Sequence, residues 1–353
     1  MRDILEQSIL ALLREIELLI SSLPEKIPAE LAAYHSEISK SCFNLKQQAL
    51  NSLSYLKKEN ESIFDDILSN TQKNTREFIL YNSRLVTPLR RHLPSDELCL
   101  KILYWLHSIH PKIKNVPGAF IDGDVGIWAS TDYPINYFMP TSAQFGLLYL
   151  PLFFHEFGHL LYAFHRSELD QLVIELQQEF SNILEPMSKR DDLKAQQDER
   201  IRKTIVETWF TWIQELFCDA VGFQIGGLCF VNAFSMYLKM WGSDRFNVTS
   251  EELAYSSHPV TWLRIKLLCE YLGQSGFEEY ARKLENEWQR LAEVLSIKED
   301  YFGFYSEEFL TPILKTIKDM LIETEPYRFK LDELAVDEID DRIISPIKLL
   351  NTA

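Results

Sequence analysis

The sequence predicts a mainly α-helical protein with a small β-sheet. Three observations carry that prediction. Glycine is scarce, 12 in 353 residues, and proline numbers 14, so long elements joined by few turns are expected. Apolar residues recur at three- and four-residue steps over most of the chain, the period of a helix with one buried face. One stretch, residues 116–140, breaks the pattern with Gly, Pro, Asp, β-branched and aromatic residues, the composition of short strands and turns.

The bulk composition narrows the class. Hydrophobic residues make up 46% and charged residues 25%, which is ordinary for a globular protein and excludes disordered, collagen-like and low-complexity chains. The length allows two or three domains. A formal net charge of -16 argues against nucleic acid as a partner, because phosphate binding needs a basic face. Cys42, Cys99, Cys218, Cys229 and Cys269 are odd in number and form no CxxC; this argues against a disulfide framework and favours a reducing compartment. The N-terminal stretch carries Asp3, Glu6, Arg14, Glu15 and Glu17 where a secretory signal would be apolar. It reads as an amphipathic helix, and a cytoplasmic location is expected.

The elements follow in order. Residues 1–93 read as an N-terminal helical bundle without a chemical motif, either a packed helical layer or a surface for a regulatory partner. Leu5, Ile9, Leu12, Leu13, Ile16 and Leu19 mark the apolar face of its first helix. Pro24 and Pro28 end that helix. A second pattern runs through Leu31, Tyr34, Ile38, Cys42, Leu45, Leu50, Leu53, Leu56 and Ile63. Pro94, Ser95, Asp96 and Glu97 start another helix with an acidic first turn, ending before Pro111. His107 and His110 near its end could pair on a metal, but a helix-terminal histidine more often meets free carbonyls.

The sheet is expected in 116–140, and helix again over 142–186. Ser188–Lys203 is almost wholly polar, a solvated loop or an exposed helix start. Helices are expected over 200–240, 259–272, 277–296 and 306–322, with Gly273 capping the second of these. An acidic tail follows Pro326. The resulting division is 1–93, a core over 94–300, and a C-terminal helix and tail over 301–353. Two uncharged stretches are long enough to raise a membrane question. Tyr133–Phe154 contains three prolines, and Ala220–Leu238 is interrupted by Gln224, Gly226, Gly227, Asn232 and Ser235. Both argue against membrane association, and the second reads as a buried core helix.

The chemistry concentrates in FFHEFGHLL, residues 153–161. His155 and His159 are four apart, so a helix places both on one face where they can share a zinc ion. Glu156 adjoins that face and can take a proton from a zinc-activated water. Leu152, Phe153, Phe154, Phe157, Leu160 and Leu161 would bury the helix. A buried helix with two hydrogen-bonded histidines is the competing explanation. Catalytic zinc needs a third protein ligand, and WIQELFCDAVG supplies one. Glu215 and Asp219 are four apart on a second helix; Glu215 can complete the site and Asp219 can orient a ligand histidine through its other ring nitrogen.

HExxH followed by a helix carrying ExxxD resembles the gluzincin metallopeptidases. The segment SSHPVTWLRI, with His258, Pro259 and Arg264, is similar to the HPxxxxR motif of the CAAX-prenyl-protease and heat-shock membrane-protease family and its soluble relatives. The three motifs span residues 155–264. The resemblance implies a gluzincin-like core with one zinc ion per chain, held by His155, His159 and Glu215. It implies Glu156 as general base, His258 as stabiliser of the tetrahedral oxyanion, Asp219 as partner of a ligand histidine, and Arg264 as a brace. It further implies a peptide or protein substrate bound as a strand against a sheet edge, for which Asp124–Ser130 is the candidate. Tyr255 or Tyr137 would be a second oxyanion donor. The expected activity is that of a zinc metalloendopeptidase. The alternative is a catalytically silent zinc-binding scaffold, against which the intact Glu156 speaks.

Overall fold

The computed structural model describes residues 2–58, 63–91, 96–121, 124–129, 133–139, 147–184, 193–241, 245–334 and 345–352. It is mainly helical with one three-stranded sheet. The chain divides into two compact units, Met1–Phe145 and Gly146–Ala353.

In the first unit, helices α1 (Arg2–Ser21), α2 (Ala32–Leu56) and α3 (Phe64–Leu80) precede the short α4 (Thr87–Arg90) and α5 (Asp96–Ser108). Helix α1 buries Leu5, Ile9, Leu12, Leu13, Ile16 and Leu19, the stripe expected from their spacing. Helix α2 departs from expectation in its second half. It buries Tyr34, Ile38, Cys42, Leu45, Ala49, Ser52 and Leu56, while Leu50 is 38% exposed. Steps of four, three and four from Leu45 reach Ala49, Ser52 and Leu56, whereas the five-residue step to Leu50 turns toward solvent.

Between α3 and α4 the backbone widens into a π-turn, Tyr81–Leu85. Wide turns disturb the regular carbonyl pairing, and two buried side chains compensate. The Tyr34 hydroxyl lies 2.7 Å from the Leu85 carbonyl and 2.6 Å from Asn136 Oδ1, and Asn136 Nδ2 donates to the Arg84 carbonyl at 3.2 Å. Asn136 belongs to the sheet, which comprises β1 (Pro117–Ile121), β2 (Gly126–Trp128) and β3 (Ile135–Met139) in the order β1-β3-β2. Strand β3 is central, parallel to β1 with Pro117 opposite Ile135 and antiparallel to β2 with Gly126 opposite Phe138. Strand β2 is an edge, within the segment expected to form one; Ser130 lies outside the described residues.

The second unit contains α6 (Leu152–Phe164), α7 (Arg166–Ile183), α8 (Leu193–Gly226), α9 (Leu228–Trp241), α10 (Ser250–Tyr255), α11 (Thr261–Gln274), α12 (Glu278–Val294), α13 (Leu310–Thr324) and α14 (Pro346–Thr352). Its core is aromatic. Phe180 stacks on Phe309 with ring centroids 4.2 Å apart, and Trp209 meets Phe180 at 5.0 Å and Trp212 at 5.4 Å. The buried indoles find polar partners, as they must: Trp209 Nε1 donates to the Phe304 carbonyl and Trp212 Nε1 to the Ser256 carbonyl.

Three expectations are corrected here. The helix expected over 200–240 is two helices, because Gly227 adopts φ 61 between α8 and α9, a conformation costly for any other residue. The apolar stretch Ala220–Leu238 is split by that break, and among the described residues no helix is long and apolar enough to cross a membrane. Gly273 is not the cap of α11; it lies inside the helix, and the left-handed residue is Gly276 at φ 87, whose N–H reaches the Gly273 carbonyl. The polar stretch from Ser188 lies outside the described residues up to Leu193, where α8 begins.

The end of the chain packs against the α8–α9 break. The Phe329 amide donates to the Gln224 carbonyl, and Asn351 spans the break by accepting from the Cys229 amide at 2.8 Å and donating to the Gly226 carbonyl at 3.2 Å. Buried Glu333 accepts from the Tyr327 hydroxyl, from the Lys330 amide and from the Ser345 hydroxyl.

Candidate metal centre

Helix α6 carries HEFGH and is buried on almost every side, with Leu152, Phe153, Phe154, Phe157, Leu160 and Leu161 all inside. Its closest neighbour is α8. Contact is made at Gly158, where an added Cβ would stand 2.8 Å from Cys218 Cα. Cys218 lies between Glu215 and Asp219 in sequence. The glycine therefore lets the two backbones touch where each helix carries its polar residues.

The result is a convergent donor set. Ligand atoms of His155, His159 and Glu215 all lie within 4.8 Å of one another. His155 Nε2 is 3.5 Å from Glu215 Oε2, and His159 Nε2 is 3.5 Å from Glu215 Oε1. Two ligands bound at zinc's usual distances in a tetrahedron stand about 3.3–3.4 Å apart, by geometry from bonds of about 2.0–2.1 Å. These two contacts lie near that spacing, and the three residues together could hold a metal ion. Glu215 Oε2 is buried and makes no hydrogen bond, with nitrogens of His155, His258 and Arg264 at 3.4–3.5 Å, so it keeps a lone pair that a cation could take. Two imidazoles and one carboxylate are also the donor types zinc takes.

A second layer orients the first. His155 Nδ1 is 2.8 Å from Asp219 Oδ1, so its other nitrogen is left toward Glu215 and His159. Asp219 is gripped by Arg264 in a two-pronged ion pair, Nε to Oδ2 at 2.8 Å and Nη2 to Oδ1 at 2.6 Å. Arg264 Nη2 also stands 3.5 Å from Glu215 Oε2. The Phe234 ring, from α9, stacks on His155 at 6.0 Å and lies 4.8 Å from the Arg264 guanidinium. Buried charges need such pairing to survive.

The electrostatics follow. Burial opposes the charged form of His155, but Asp219 and Glu215 outweigh it and lift its pKa to about 10. Burial and the neighbouring His155 charge push His159 down to about 4. For Glu215 and Asp219 burial opposes ionisation, yet His155 and Arg264 hold both below the usual carboxylate range. Without a metal the site balances its two carboxylates with Arg264 and a proton on His155. A cation held at His155 would take that proton's place, so loading would release it.

The other expected residues fall as follows. Glu156 is buried on α6 beside His155. It is one of the acids that, after burial itself, raise the Cys218 thiol's pKa. His258 sits before α11, 54% exposed, with Nε2 3.4 Å from Glu215 Oε2 and Nδ1 2.8 Å from Ser257 Oγ. Thr249 and Glu252 form the expected capping box on α10. Tyr255, at the end of α10, is 92% exposed. Tyr137 is buried in the first unit, its hydroxyl 3.0 Å from His107 Nε2. His107 and His110 are engaged there too: His107 Nδ1 meets the Asn115 carbonyl and His110 Nδ1 the Leu106 carbonyl.

Sequence reasoning missed Gly158, Phe234 and Ser257. A glycine inside a buried helix was a readable signal, since it weakens the helix unless a close approach needs it. Phe234 carried no signal among many buried aromatics. No family model, curated protein or solved structure matches the chain.

Proposed function

We propose that this chain is a zinc metalloendopeptidase of gluzincin type acting on protein or peptide substrates. The observation that carries the reading is the convergence of His155, His159 and Glu215, with Asp219 at 2.8 Å behind His155. Two histidines and one carboxylate, with a second carboxylate orienting one histidine, are a ligand set that catalytic zinc sites use. Zinc, when bound, supplies a Lewis acid that polarises a carbonyl and acidifies water.

The residues of the chain divide the remaining work. His155, His159 and Glu215 hold the ion. Asp219 keeps His155 in the tautomer whose Nε2 is free to bind, and Arg264 keeps Asp219 ionised. Glu156 accepts the proton of the attacking water and returns it to the leaving amine. His258 presents Nε2 to the oxyanion that develops on the scissile carbonyl. The aromatic and aliphatic flanks of α6 exclude bulk water, which strengthens each of these interactions.

The test is the full-length protein and its Glu156→Gln variant, both assayed for zinc content and for cleavage of casein and a mixed peptide library. Equal zinc in both, with cleavage by the wild type falling at least 100-fold in the variant, supports the reading; general-base loss is worth roughly 10²–10⁴-fold. Zinc without cleavage in either protein leaves the silent scaffold. Absence of stoichiometric zinc in both refutes the metal centre.

A further inference from the structure

We infer that Phe234 is a positioning residue of the metal centre: its ring sets the plane of the His155 imidazole and keeps the Arg264 guanidinium on Asp219. The inference rests on the proposed metal centre.

Phe234 lies on α9 and is itself held from several sides. Gly222 and Gly226 on α8 make room for the Phe230 ring. A side chain at Gly222 would collide with that ring, and a Cβ at Gly226 would stand 2.9 Å from Phe230 Cβ. Phe230 in turn stacks on Phe234, with ring centroids 5.2 Å apart and planes at 17°. The following residue, Ser235, is buried and accepts from the Trp288 indole at 3.0 Å. The ring is therefore placed by the fold around it.

Two groups of the centre rest on this ring. The His155 imidazole lies 6.0 Å from it with planes at 22°, an offset stack. The Arg264 guanidinium carbon lies 4.8 Å from its centroid, within cation–π reach. Together with Asp219 these contacts close a loop. Phe234 meets His155, His155 Nδ1 meets Asp219 at 2.8 Å, Asp219 meets the Arg264 fork, and Arg264 returns to Phe234. Each member constrains what the others leave open. Asp219 holds one edge of the imidazole but lets the ring tilt about that contact. A flat face stacked on the ring fixes its plane, and so the direction in which Nε2 points. Arg264 Nη2 stands 2.6 Å from Asp219 Oδ1 and 3.5 Å from Glu215 Oε2. The aromatic face holds the guanidinium on Asp219. Released from that face, the guanidinium is free to turn toward Glu215 Oε2 and compete with a metal ion for that oxygen. Phe234 does not touch the ion; it acts through His155 and Arg264, as outer-shell groups do.

The experiment uses full-length protein as wild type, Phe234→Met, Phe234→Leu, Phe234→Tyr and Phe180→Met. Methionine fills core space without a flat face, and tyrosine keeps the face. Phe180 is equally buried, but its ring partners are Trp209 and Phe309. Competition with a chromophoric chelator reads zinc affinity, and urea unfolding in EDTA reads stability. Phe234→Met and Phe234→Leu should each bind zinc at least about tenfold more weakly than wild type, the scale of a lost outer-shell partner. Phe234→Tyr should bind zinc as the wild type does. Phe180→Met should lose stability as Phe234→Met does, yet keep wild-type zinc affinity. Wild-type zinc affinity in Phe234→Met and Phe234→Leu overturns the inference. So does an equal loss of affinity in Phe180→Met, which marks general loosening, or in Phe234→Tyr, which retains the face. If the wild type binds no zinc, the metal centre fails and the inference with it; every other adverse outcome strikes the inference alone.

Discussion

Replacing Gly158 with alanine tests how the metal centre is assembled. The new Cβ would lie 2.8 Å from Cys218 Cα, 3.0 Å from its Cβ and 3.1 Å from its Sγ, against an ordinary contact of at least 3.4 Å. Helices α6 and α8 must separate by about 0.6 Å to accept it, the gap between those two distances. Metal–ligand distances tolerate only about 0.2 Å. The displacement is therefore about three times what the centre allows, and His155 and His159 move away from Glu215 together. Zinc affinity should fall at least about tenfold, the lower end of what lost ligand positioning costs. Stability of the metal-free protein should fall by about 1–3 kcal/mol, the usual cost of overpacking. Competition with a chromophoric zinc chelator reads the first and urea unfolding in EDTA reads the second. Adding Cys218→Gly should recover only part of the loss, because the nearest atom is main-chain Cα. Wild-type zinc affinity and stability in Gly158→Ala would refute the role assigned to the close approach.

Other perturbations read separate layers of the structure. Asp219→Asn should lower zinc affinity by about 10–100-fold, because the carboxylate no longer orients His155. It should also cost about 3–5 kcal/mol in urea unfolding, because Arg264 keeps its buried charge and loses its partner; an unchanged unfolding midpoint would contradict that pairing. Acid should weaken the first unit through His107. Burial lowers its pKa from 6.5 to about 4, opposed by the hydrogen bond to the Asn115 carbonyl. Between those values the unfolded chain binds a proton that the folded chain refuses, so stability is complete above pH 6.5 and is lost as pH falls toward 4. The full effect is about 3 kcal/mol by linkage, and His107→Gln should lose correspondingly less between about pH 7 and pH 4.5. Asn351→Ala should cost about 1–2 kcal/mol by uncapping the Cys229 amide and the Gly226 carbonyl, measured by thermal unfolding.

Much of the architecture was legible because it depends on short-range periodicity. The buried stripe of α1 is the stripe its spacing predicts, and the composition change at 116–140 marks the sheet. HEFGH and ELFCD each put two polar groups on one helix face, since steps of four determine that locally. Errors arose where neighbours decide. The phase of α2 after Leu45 depends on what packs against it, so Ala49 and Ser52 lie inside and Leu50 outside. The break at Gly227 depends on Asn351, which arrives from the other end of the chain to satisfy the freed backbone groups.

The chain's own residue order determined which chemical groups exist and which of them share a helix face: His155 with His159, and Glu215 with Asp219. Tertiary structure alone decided that the two faces meet. That required the Gly158–Cys218 approach, the Arg264 fork on Asp219, Phe234 under both, and the Trp212 indole holding the loop of Ser257 and His258. The physical reason is range. A helical period is set within four residues, whereas a metal centre is set by side chains such as Asp219 and Arg264, 45 residues apart, brought together only when the apolar faces around them are buried.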